Sequence, residues 1–117
     1  MKSNIQIQPV LADSIYTVIF MEAIFSFFII LAYLRVTSDD LKKNSFYGFI
    51  IGSPLIVGIF SAAPVTGAVF NPAISIGPSI IDILTNEGVS QYFTWYYVVG
   101  PFLGGIFAYL LNKLFEK

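Results

Sequence analysis

No charged residue stands between Lys43 and Asp82. An uncharged run of that length is well over the roughly 20 residues of one bilayer crossing and too short for two comfortable ones. The economical solution is one full span over residues 45–63, followed by a loop that dips back into the membrane through residues 66–81. The pivot is Thr66-Gly67-Ala68-Val69-Phe70-Asn71-Pro72-Ala73-Ile74-Ser75-Ile76-Gly77-Pro78, whose prolines and glycines bar one uninterrupted helix. Asn71 is a good N-cap, and Pro72 suits the first helical position, where its missing N–H would have no partner. A helix therefore starts at Pro72. Gly77-Pro78 is expected to kink or shorten it, leaving about two or three turns, too few to cross a bilayer. The amino end of such a half-helix, with free N–H groups and a partial positive charge, suits a cavity at membrane depth.

Composition agrees with a membrane setting. The chain is 56% hydrophobic and 11% charged, with neither histidine nor cysteine. That is far more apolar than a soluble domain of its size, so the chain reads as an integral membrane protein in a lipid bilayer. The scattered Lys and Arg residues and the net charge of −1 form no nucleic-acid footprint. Thiol, zinc and imidazole chemistry are excluded by composition, so no enzyme activity and no cofactor are expected.

Two further spans frame the uncharged run, at residues 14–34 and 92–111. Glu22 is the only charge in the first. Residues Met1 to Pro9 are polar and expected outside the bilayer, without the pattern of a secretory signal. Arg35, Asp39, Asp40, Lys42 and Lys43 make a solvated loop, and Asp82 to Gln91 a second polar one. The expectation is an all-α membrane protein, three transmembrane helices plus one re-entrant half-helix, forming a single unit over residues 1–117. With three crossings, Arg35, Lys42, Lys43, Lys113 and Lys117 fall on one side and Lys2 on the other, which puts the N-terminus outside and the C-terminus in the cytoplasm. The re-entrant segment then enters from the outer side.

Gly48 and Gly52, and Gly100 and Gly104, have the small-xxx-small spacing that lets helix backbones approach closely in lipid. Trp95, Tyr96 and Tyr97 read as an interfacial aromatic belt, and Pro54 as a bend in the second span. Glu22 is the costly residue. At mid-helix in hydrocarbon a carboxylate costs on the order of 2 to 4 kcal/mol unless it finds partners, so it should face the protein interior. Two roles fit: an ion or proton site, or an acceptor for backbone N–H groups of the re-entrant loop.

The triplet Asn71-Pro72-Ala73, with Gly67 before it and Ser75 and Gly77-Pro78 after it, joined to Val99-Gly100-Pro101-Phe102-Leu103-Gly104-Gly105, resembles the second half of an aquaporin, or major intrinsic protein. The resemblance covers about residues 18–111. It implies an inverted-repeat channel in which each half supplies three spans and one half-helix, the two half-helices meeting near the midplane. Asn71 would then donate to a passing oxygen, Glu22 would support the loop, and Ile59, Ala68 and Ile74 would form this half's share of the outer constriction. Water or a small neutral solute such as glycerol would pass by diffusion, in an assembly expected to be a homotetramer.

Two departures stand out. Ile74 occupies a position where the family usually has arginine, which removes a fixed positive charge and makes this half of the constriction wholly apolar. Ser75 stands where glycerol-conducting members carry an aspartate, and Tyr97-Val98 where water channels often carry an aromatic pair. The chain also matches only half a channel, so it needs an N-terminal half or a second half-channel. Either it is a piece of a longer protein or two half-chains combine. The alternative reading is a non-conducting subunit with a structural or regulatory role beside full-length channels.

Overall fold

The computed structural model describes residues 8–9, 14–38 and 45–116. Five helices follow one another: α1 (Ile15–Val36), α2 (Tyr47–Thr66), α3 (Pro72–Thr85), α4 (Gln91–Thr94) and α5 (Tyr96–Phe115). No strand occurs among the described residues. The stretches Ile15–Val36, Tyr47–Thr66 and Gln91–Phe115 are each long and apolar enough to cross a membrane, and Pro72–Thr85 is a shorter apolar helix. The fold is an all-α membrane architecture of three long helices and one short one. Lys2, Lys42, Lys43 and Lys117, on which the orientation rests, lie outside the described residues.

Local chemistry sets the helix ends. Ser14 caps α1, its hydroxyl accepting from Tyr16 N–H at 3.2 Å. At the other end the Thr37 hydroxyl donates to the Tyr33 carbonyl at 2.7 Å. α2 runs through both Pro54 and Pro64 and ends at Gly67, whose φ of +89° lies in the left-handed region that glycine adopts without strain. Each of the two prolines lacks the N–H that would donate to the carbonyl four residues before it, and the helix continues through both.

α1 is the hub: it packs most extensively on α5 and next on α2. Two glycines make the α1–α5 approach possible. A Cβ on Gly104 would stand 2.8 Å from the Phe27 nitrogen and closer still to the Ala23 carbonyl, and one on Gly100 would stand 2.7 Å from the Glu22 Cβ. Gly48 and Gly52 behave differently from the expectation. A Cβ on either would meet nothing within 4 Å, so neither makes a close helix contact within this chain. On α2 the tight position is Gly58, where a Cβ would come within 2.9 Å of the Phe70 ring. Phe70 in turn lies against Phe25 of α1, ring centroids 5.6 Å apart. At the far end of the α1–α5 pair, Arg35 sits over the Phe115 ring at 5.3 Å.

α3 corrects the sequence expectation in length. It spans 14 residues, about four turns, rather than two or three. Gly77-Pro78 does not stop it, because contacts to the following segment hold its second half. The Ser79 and Thr94 hydroxyls are hydrogen-bonded. Asp82 is fully buried, accepting from Ser90 N–H at 2.8 Å and from the Asn86 side-chain amide at 3.1 Å. Asp82 therefore belongs to the helix and its tie to α4, and not to a solvated loop as its charge suggested.

Candidate functional site: the loop between α2 and α3

Residues 68–70 leave α2 without the backbone pairing for their N–H groups that a helix or sheet would supply. Ala68 (φ +54°) and Phe70 (φ +50°) both adopt the left-handed conformation that side chains disfavour. Each N–H in the turn nevertheless has a partner. Gly67 N–H donates to the Ala63 carbonyl at 3.1 Å, and Ala68 N–H to the Thr66 hydroxyl at 3.0 Å. Val69 and Phe70 N–H donate to the two carboxylate oxygens of Glu22, at 3.2 and 2.6 Å. The Thr66 hydroxyl gives its own proton to Glu22 at 2.7 Å. Glu22 is fully buried, so one carboxylate on α1 carries three donors from the end of α2 and the loop. This satisfies at once the buried charge and the orphaned amides.

Acceptors are matched as well. Ser26, one turn along α1 from Glu22, donates to the Phe70 carbonyl at 3.2 Å. Tyr97 donates to the Thr66 carbonyl at 2.5 Å. Tyr97 is fully buried, which removes it from the aromatic belt assigned to it in the sequence, whereas Trp95 is about half exposed. Thr66, Ser26 and Tyr97 are the loop's anchoring residues that sequence reasoning passed over. The signal present for Thr66 was its place immediately before Gly67; isolated hydroxyls on apolar helices carry none.

Asn71 opens α3 as its N-cap, in extended conformation, with Oδ1 accepting from Ala73 N–H at 3.0 Å. That bond orients the side-chain amide and commits its oxygen, while the residue stays exposed. Ser75 turns inward, its hydroxyl donating to the Pro72 carbonyl at 3.0 Å. A groove of about 620 Å³ between α1 and α5 reaches Phe70, Asn71 and Pro72, with Ile30, Phe102 and Ile106 in its apolar lining. Ile74 (52% exposed) lies on the first turn of α3, Ala68 is half-buried in the loop, and Ile59 (43% exposed) lies on α2. No group of three or more acidic side chains stands together among the described residues in a way that would hold a metal ion.

The family model for the major intrinsic proteins matches residues 3–112. The chain belongs to the major intrinsic protein family. Among curated relatives, aquaporin NIP1-4 of Oryza sativa subsp. japonica is 32% identical over 80% of this chain and 33% of its own length. Nodulin-26 of Glycine max is 35% identical over 73% of this chain and 29% of its own. A glycerol uptake facilitator protein-like 6 of Lactiplantibacillus plantarum is 37% identical over 76% of this chain and 39% of its own. This major intrinsic protein chain thus spans about a third of the length of the curated relatives it matches. No solved structure matches it at a significant level.

Proposed function

We propose that the chain supplies half of a membrane channel that passes water and small neutral solutes by diffusion, with Asn71-Pro72-Ala73 at the centre of the conducting path. The observation that carries this reading is Asn71: exposed at the amino end of a half-helix, its oxygen tied to Ala73 N–H, it keeps its amide protons for a passing oxygen. The half-helix dipole adds a positive potential that disfavours cations at the same point.

Selectivity on this reading comes from Ile59, Ala68 and Ile74. Three apolar side chains give a constriction without a fixed charge, tolerant of neutral solutes such as glycerol. Glu22 acts as the loop's acceptor, its oxygens being occupied by three donors. The remaining wall of the pore comes from a second half, and the assembly is a homotetramer with its N-termini outside and C-termini cytoplasmic.

Osmotic swelling of proteoliposomes tests the proposal. Flux above that of empty vesicles, reduced by Asn71→Ala, is the expected result. Flux equal to that of empty vesicles, with co-purification alongside a full-length channel, would replace it with a non-conducting structural subunit.

A further inference from the structure

The geometry points to Tyr97 as a positioning residue that fixes Ala68, and with it the width of the proposed constriction, by capping the last carbonyl of α2. Thr66 closes α2, and in a continuing helix its carbonyl would accept from the N–H four residues on. That N–H belongs to Phe70 and is taken by Glu22. The carbonyl would be left buried and unpaired, except that the Tyr97 hydroxyl donates to it at 2.5 Å. A phenol has one proton to give, and here it has one carbonyl to receive it.

Tyr97 and Glu22 hold opposite polarities of the same turn. Glu22 takes the Thr66 hydroxyl proton and two loop amides, while Tyr97 gives its proton to the Thr66 carbonyl. Their helices lie in close contact beside these two residues, since a Cβ on Gly100, three residues after Tyr97, would stand 2.7 Å from the Glu22 Cβ. Thr66 is gripped between two fixed points. Its hydroxyl accepts from Ala68 N–H at 3.0 Å, so the grip passes straight to the residue at the constriction. Ala68 sits at φ +54°, a conformation that persists only while the surroundings hold it.

This inference rests on the proposed channel reading for its selectivity consequence, but its main test does not require conduction. The chain contains no cysteine, so Ala68→Cys introduces a single thiol. Its modification rate by a small methanethiosulfonate reagent is measured in proteoliposomes, with and without Tyr97→Phe. Tyr97→Phe should raise the rate about tenfold, the population change that follows loss of one hydrogen bond of ordinary strength. Tyr96→Phe, which removes the neighbouring hydroxyl, should leave the rate unchanged. A role in folding alone would instead give a fast-reacting fraction beside one with the parent rate. That outcome overturns the proposal, as do an unchanged rate, equal acceleration by Tyr96→Phe, or absence of any folded Tyr97→Phe protein. Where the channel conducts, the glycerol-to-water permeability ratio should shift severalfold in Tyr97→Phe. Equal loss of both permeabilities would count against the link to the constriction and leave the labelling result intact.

Discussion

Removing the Glu22 carboxylate tests how the loop is held. Glu22→Ala deletes the acceptor of three donors: the Thr66 hydroxyl, Val69 N–H and Phe70 N–H. The hydroxyl has a fallback in the Ala62 carbonyl, already 3.4 Å away. The two amides have none. Each buried N–H left unpaired costs about 1–3 kcal/mol, so the variant should lose about 2–6 kcal/mol. The insertion cost of the charge does not offset this, because residue 22 lies in the bilayer in both the packed chain and its separated helices. Glu22→Gln keeps one acceptor oxygen but turns an N–H₂ toward a backbone donor. It should lose one bond rather than three, about 1–3 kcal/mol. Thermal unfolding in detergent, followed by the fluorescence of the sole tryptophan, Trp95, reads all three proteins. The order should be parent, Gln, Ala. An Ala variant within about 0.5 kcal/mol of the parent, less than even one hydrogen bond is worth, would refute the account, as would a Gln variant weaker than Ala.

Gly104→Ala must force two backbones apart, since its Cβ would meet Ala23 and Phe27 main-chain atoms, and should destabilise by about 1–3 kcal/mol in the same assay. Gly52→Ala meets nothing and should be neutral or stabilising by up to about 1 kcal/mol, through helix propensity. Asp82→Ala strips Ser90 N–H of its acceptor, and hydrogen exchange at that amide should quicken about tenfold while Phe27 keeps its protection. Ile74→Arg adds donors and a positive charge to the proposed constriction. Vesicle swelling should show glycerol permeability falling relative to water, and an unchanged profile would sink the apolar-constriction reading.

The parts of the fold that were legible in the sequence are those fixed by local rules. Asn71-Pro72 announces a helix start because cap chemistry needs only adjacent residues, and α3 begins at Pro72. The long helices are legible because hydropathy integrates over about 20 residues. What failed depended on neighbours far along the chain. Asp82 looked solvated because it is charged, yet its partners stand on both sides of a turn. Tyr97 looked interfacial because it follows Trp95 and Tyr96, yet the side chains turn from exposed Trp95 through half-buried Tyr96 to fully buried Tyr97. Glycine spacing flagged Gly48 and Gly52 as readily as Gly100 and Gly104, since a motif cannot say which of its occurrences faces another helix. Among the groups that hold the loop, Glu22 was singled out by its cost, whereas Thr66 offered only its place before Gly67 and Ser26 gave no signal.

The left-handed backbone at Ala68 and Phe70 has a consequence for how the chain is assembled. A short peptide with this sequence would rarely adopt those angles, each carrying a penalty of order 1–3 kcal/mol. The turn between α2 and α3 is therefore held in shape by the carboxylate of α1 and the phenol of α5 rather than by its own local preference. Disturbance of the glycine seam between those two helices, where Gly100 packs beside Glu22, should accordingly be passed on to the turn.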